Sequence, residues 1–243
     1  MCMISYEQQI LNELEVWKLS MQRNPSLSDK FSKSVQTRIN RLIPEKVHQV
    51  LTSAIKQMIR GVLAGAEFIN PVPHKFTNLE ETEIEVKARI DFYSKTATAE
   101  GALTGAGGIL WSFADFPLWL SIKIKMLFEI ASIYGFDTSD YKERIYILHI
   151  FMLTFSSRQH RKEVYQSMAN WTDYSQHLPN DIHQFDWRSF QQEYRDYIDL
   201  AKLIQLIPGI GAVTGAYINH KLTNKLGIMA MNTYRMRMNI SKS

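Results

Sequence analysis

At 243 residues, with 45% hydrophobic and 21% charged side chains, the chain has a globular composition with enough length for a core of its own, which excludes a disordered polymer. Its single cysteine, Cys2, excludes an internal disulfide and favours a reducing compartment. The net charge of +4 is unevenly placed: no acidic residue follows Asp199, whereas Lys202, Lys221, Lys225, Arg235, Arg237 and Lys242 do.

Apolar residues at Ile10, Leu11, Leu14 and Trp17 predict a first helix over Ile4–Arg23, stopped by Asn24-Pro25. A second helix is expected over Asp29–Leu42. A third spans Pro44–Ile69, with the proline in its first turn and an apolar stripe from Val47 to Val62. Gly61 and Gly65 lie four apart near its end, and Asn70-Pro71-Val72-Pro73 terminates it. A linker over 70–77 would set off residues 1–70 as an N-terminal helical subdomain within a single domain covering 1–243.

Thr77-Asn78-Leu79-Glu80 reads as a capping box. Glu80, Glu81, Glu83 and Glu85 then sit where the helix dipole favours negative charge. That helix continues into Gly101-Ala-Leu-Thr-Gly-Ala106, a hexapeptide that returns with one conservative change as Gly211-Ala-Val-Thr-Gly-Ala216. Glycines four apart share one helix face, and the missing side chains let a second helix approach closely. Asp115 is expected to cap a helix with Pro117 just inside it, running to Tyr134, with Gly135 as its stop. Further helices follow from Asp137–Asp140 to Phe155, and from Arg158 to Asn170. Trp171–Phe185 reads as the longest loop. Asp186 caps a helix from Trp187 to Leu206, and Pro208 starts the last one. Strand periodicity is absent, so the expected fold is all-α: one compact domain of eight to ten helices with glycine-rich close-packed pairs.

Chemical motifs are sparse. Gly209-x-Gly211-x-x-x-Gly215 follows a helical run and a proline and has no acidic residue after it, so it is not a dinucleotide fingerprint. Gly105-Ala-Gly-Gly108 lacks the lysine of a phosphate loop. No two histidines have helix-facing spacing; His177, Asp181, His183 and Asp186 crowd one loop, a pattern more often solvating than metal-binding. No cofactor, nucleotide, metal or nucleic-acid partner is therefore expected. Asp115, between Phe113 and Phe116, and Asn219, in line with Gly211 and Gly215, are the polar residues placed beside the glycine segments. Each reads first as structural, a cap and an interhelical hydrogen-bonding group, and second as part of a site.

Glu100-Gly-Ala-Leu-Thr-Gly-Ala-Gly-Gly108, Asp115-Phe-Pro117, Ile130-Ala-Ser-Ile-Tyr-Gly135 and Ile207-Pro-Gly-Ile-Gly-Ala-Val-Thr-Gly-Ala-Tyr-Ile-Asn219 together resemble the EcsC protein family, as do Glu15-Val-Trp-Lys18 and Ile43-Pro-Glu-Lys-Val-His48. The resemblance covers most of the chain. The family takes its name from a bacterial operon whose other products form the Ecs ABC transporter, linked to secretion and membrane proteolysis. It supplies no catalytic residue to carry over, so Gly101, Gly105, Asp115, Pro117, Tyr134, Gly135, Gly211, Gly215 and Asn219 are family marks without assigned roles.

The expected function is that of a helical accessory protein, not an enzyme, located in the cytoplasm or peripherally on the inner face of the plasma membrane. Its partner is an anionic membrane surface or a membrane transporter, met by Lys221, Lys225, Arg235 and Arg237 on a basic amphipathic last helix. The alternative is a hydrolase-like enzyme or small-molecule binder with its site between the two glycine-rich helices, near Asp115 and Asn219.

Overall fold

A computed structural model describes residues 5–23, 45–64, 78–105, 116–197 and 212–238. Among them are nine α-helices, a single 3-10 turn at Ile182–Gln184 and no strand. In chain order the helices are α1 (Tyr6–Gln22), α2 (Glu45–Ala64), α3 (Leu79–Gly105), α4 (Phe116–Ile133), α5 (Tyr141–Phe155), α6 (Arg158–Ala169), α7 (Trp171–Gln176), α8 (Trp187–Tyr197) and α9 (Ala212–Arg237). The expected helix over 29–42, Pro44, the 70–77 linker, Thr77, Asp115 and Gly211 lie outside the described residues.

Local chemistry explains most boundaries. The Ser5 hydroxyl accepts from the Gln8 amide and opens α1. At α3 the cap is Asn78, whose Oδ1 accepts from the Glu81 amide at 2.8 Å, one residue later than the capping box read from the sequence. Asp140 caps α5 and Asp186 caps α8 in the same way. Gly135, with φ of 84°, ends the α4 turn in the left-handed region that glycine enters without strain. The stretch read as the longest loop is partly wound up. Trp171 is buried against Tyr146 and His149, and that burial draws α7 out of an otherwise polar sequence.

Helix α5 is the axis of the core. Tyr141 and every residue from Glu143 to Phe155 are buried, so it has no polar face, as befits a helix covered all round. Helices α2, α4, α6 and α9 pack against it.

The most extensive helix pairing joins α3 and α9. Glu83 of α3 meets Arg235 of α9, and Ile90 meets Gly227. Seven residues up one helix match eight down the other, so the pair is antiparallel in nearly constant register. Carried onward, that register sets 101–105 level with 212–216, the helical parts of the two repeated hexapeptides. Helix α4 runs antiparallel to α3 and parallel to α9: its Trp119 reaches Asn219, and its Glu129 reaches Tyr93 and Arg89.

Candidate functional site

Three polar centres lie along α9, and each ties a different helix to it. The first is at the α4 side. Asn219 is 1% exposed, and its Oδ1 accepts from Trp119 Nε1 at 2.7 Å and from Lys123 Nζ at 2.8 Å. The Lys123 ammonium is fully buried and sits 3.9 Å from the centre of the Trp119 ring, so a cation–π contact adds to the hydrogen bond. Thr223 donates back to the Asn219 carbonyl. Asn219 thus makes the interhelical hydrogen bond that was the first of its two readings, and both lone pairs of its amide oxygen are engaged.

The second centre joins α9 to α3 and α1. Arg235 grips Glu83 with both ends of its fork, Nε to Oε1 at 2.6 Å and Nη2 to Oε2 at 2.5 Å. Its Nη1 reaches Asn232 and Glu13. Tyr6 donates to Glu83 at 2.6 Å from α1. Burial alone would lower the pKa of Arg235, but the hydrogen bonds and charge of Glu83 outweigh it and raise it. Burial, then the Glu83 hydrogen bond, push the Tyr6 hydroxyl up.

The third centre joins α9 to α5. Arg237 donates to Glu143 at 2.6 Å, and Tyr234 donates to the other oxygen at 2.8 Å. The guanidinium also lies 4.1 Å from the Phe136 ring and 4.3 Å from that of Tyr146. Burial pushes the Glu143 carboxyl up, against the lowering influence of Arg237 and Tyr234. A cleft of about 360 Å³ opens beside this pair, walled by Phe136 and Trp171 with Lys142 and Thr172 at its edge.

The basic surface read from the sequence is therefore divided. Arg235 is 4% exposed and Arg237 is largely covered, each paired with a carboxylate from another helix, so neither presents free charge to a surface. The acid-free tail is not unopposed in space, because α3 and α5 supply its carboxylates. Lys221 and Lys225 are exposed, in one stripe with Tyr217, Asn224 and Ile228. The Lys225 ammonium also reaches the Thr154 carbonyl. Gly101, Gly105 and Gly215 lie on α3 and α9; Asp115 and Gly211 are outside the described residues.

His149, expected in the core, packs among Trp171, Tyr174 and Phe190 with Nδ1 on the Ile145 carbonyl. Burial lowers its pKa to about 4. Loop residues His177, Asp181 and Asp186 make local backbone hydrogen bonds. No cluster of three metal-ligating side chains is present among the described residues. Nor is any described helix long and apolar enough to cross a membrane.

Glu83, Glu143 and Lys123 were not singled out in the sequence. The signal for Glu83 was its phase: with Val86, Ile90 and Tyr93 it shares one buried face of α3. A carboxylate on an apolar stripe asks for a partner.

Comparison with known proteins places this architecture. The EcsC protein family model matches residues 8–238. The chain is 45% identical over 231 residues to Protein EcsC of Bacillus subtilis (strain 168), with 95% of each chain covered. It is 26% identical over 250 residues to Uncharacterized protein YdbA of the same organism, covering 94% of this chain and 91% of that one. No solved structure matches it.

Proposed function

We propose that this chain, which belongs to the EcsC protein family, works as a helical accessory protein at the cytoplasmic face of a membrane, beside an ABC transporter. The observation that supports the reading is the exposed stripe of α9. Tyr217 and Ile228 stand 65% and 48% exposed, with Lys221 and Lys225 between them on the same side of the helix. An amphipathic aromatic with cationic side chains about one turn away suits a lipid headgroup layer. The interior points the same way: its buried charges are engaged between helices, an arrangement that holds helices in place and leaves the outer surface to make contacts. The transporter association comes from the family resemblance and not from a contact.

Flotation of the purified chain with vesicles of phosphatidylcholine, with and without phosphatidylglycerol, tests the membrane reading. Binding confined to the anionic vesicles and weakened by salt is expected, because screening shortens the reach of surface charge. A chain that stays in the soluble fraction at low salt, both alone and with transporter-containing membranes, ends the proposal.

A further inference from the structure

Helices α3, α4 and α9 come to one pole together. The C-terminus of α3 at Gly105, the start of α4 at Phe116 and the start of α9 at Ala212 share it, as the antiparallel α3–α9 register and the Trp119–Asn219 contact require. Helix α5 meets the same pole with its C-terminal end, through the Thr154 carbonyl to Lys225 and Phe155 to Trp119. Its N-terminal end lies with Arg237 at the far pole.

The two poles differ in chemistry. At the far one, the cations Arg235 and Arg237 are neutralised by Glu83, Glu13 and Glu143. At the near one, Leu118 on α4 and Tyr217 on α9 project outward, 55% and 65% exposed. About one to two helical turns further down are Lys125, Lys221 and Lys225, all exposed. The nearest described carboxylates on these helices do not cancel them. Asp91 holds Lys95 at 2.6 Å, and Glu129 is engaged by Tyr93 and Arg89. The sequence joined to this pole is also apolar: 106–115 contains Ile109, Leu110, Trp111 and Phe113, and 198–211 contains Leu203, Ile204, Leu206, Ile207 and Ile210. An apolar, aromatic tip above a ring of lysines matches the layering of a bilayer surface. Tyrosine takes the interface and long lysines reach the phosphates.

We infer that this pole is the membrane-docking end: Leu118 and Tyr217 enter the interfacial layer of an anionic bilayer, Lys125, Lys221 and Lys225 lie at phosphate level, and α3, α4 and α9 stand upright on the surface instead of lying along it. The inference rests on the membrane reading above and adds orientation and lipid class. Three lysines near the surface contribute about five-fold each to binding, hence about a hundred-fold together.

The test uses the full chain with Cys2→Ser and one new cysteine, carrying a polarity-sensitive fluorophore, at position 118, 217, 8 or 84. Gln8 and Ile84 are exposed near the far pole. On phosphatidylcholine–phosphatidylglycerol vesicles, labels at 118 and 217 shift to the blue and those at 8 and 84 do not. The Lys125→Gln, Lys221→Gln, Lys225→Gln triple variant loses about a hundred-fold in binding, while Lys87→Gln with Lys142→Gln loses little. Binding with the blue shift at 8 or 84 overturns the orientation and leaves the membrane reading standing. Binding untouched by the triple variant overturns the lipid-charge assignment. Absence of binding to any vesicle removes both readings together.

Discussion

Replacing Gly227 by alanine measures how tightly α3 and α9 meet. A Cβ there would lie 2.5 Å from Ile90 Cγ1, 2.7 Å from Cδ1 and 2.9 Å from Cγ2. Carbon atoms in good contact sit about 3.5–4.0 Å apart, so the methyl intrudes by about 1 Å. Ile90 cannot turn away. Cγ1 and Cγ2 hang from the same Cβ, so rotation about χ1 exchanges one clash for the other, and the side chain is only 5% exposed. Overpacking of this kind costs about 1–3 kcal/mol, and the better helix propensity of alanine returns about 1 kcal/mol. The net expectation is a chain about 1 kcal/mol less stable in urea unfolding followed by circular dichroism. Ile90→Ala alone costs about 2–5 kcal/mol through its cavity. In the double variant the new methyl occupies part of that cavity, so the loss falls short of the sum by about 1 kcal/mol or more. A Gly227→Ala protein that gains stability, with effects that add to those of Ile90→Ala, would refute the close approach.

Arg235→Ala leaves Glu83 buried without its main partner and is expected to cost about 3–5 kcal/mol in urea unfolding. Arg235→Met combined with Glu83→Leu recovers most of that loss, because a volume-matched apolar pair needs no counter-charge. Asn219→Leu removes the shared acceptor of Trp119 and Lys123 and lowers stability by about 1–3 kcal/mol, whereas Asn219→Asp, which keeps an acceptor oxygen, loses less; a thermal melt of each distinguishes them. His149 is buried neutral with its pKa lowered to about 4, so the unfolded chain binds the proton first as pH falls. Its contribution is complete above the unfolded pKa of about 6.5 and is lost down to about pH 4, by about 3 kcal/mol at most. His149→Phe, suited to its aromatic surroundings, flattens that part of the stability–pH curve relative to the parent chain.

The helices were legible because their signals are local. Asp140, Gly135 and Asp186 mark boundaries by side-chain or backbone chemistry within a few residues, and the structure uses each as read. Partnerships across the fold were not legible. Arg235 and Arg237 looked like free tail charges because Glu83 and Glu143 lie some ninety to one hundred and fifty residues away in the chain. Glu83 was hidden in a four-glutamate run that has its own explanation at a helix start. The repeated hexapeptides drew attention to glycines four apart, yet the glycine whose closeness can be measured is Gly227, outside both and lacking a glycine partner at that spacing. Asn219 was legible because its phase with Gly211 and Gly215 placed a polar side chain on a packed stripe, and the Trp119 and Lys123 donors meet it there.

Hydrogen–deuterium exchange of the unmodified chain, free and on phosphatidylglycerol-containing vesicles, addresses the docking pole directly. Slowed exchange on binding, concentrated in 116–125 and 212–225 and absent from 5–13, 79–87 and 141–145, is the predicted footprint. A footprint centred on α1 and the Glu83–Arg235 end, or one spread evenly along α9, would contradict it.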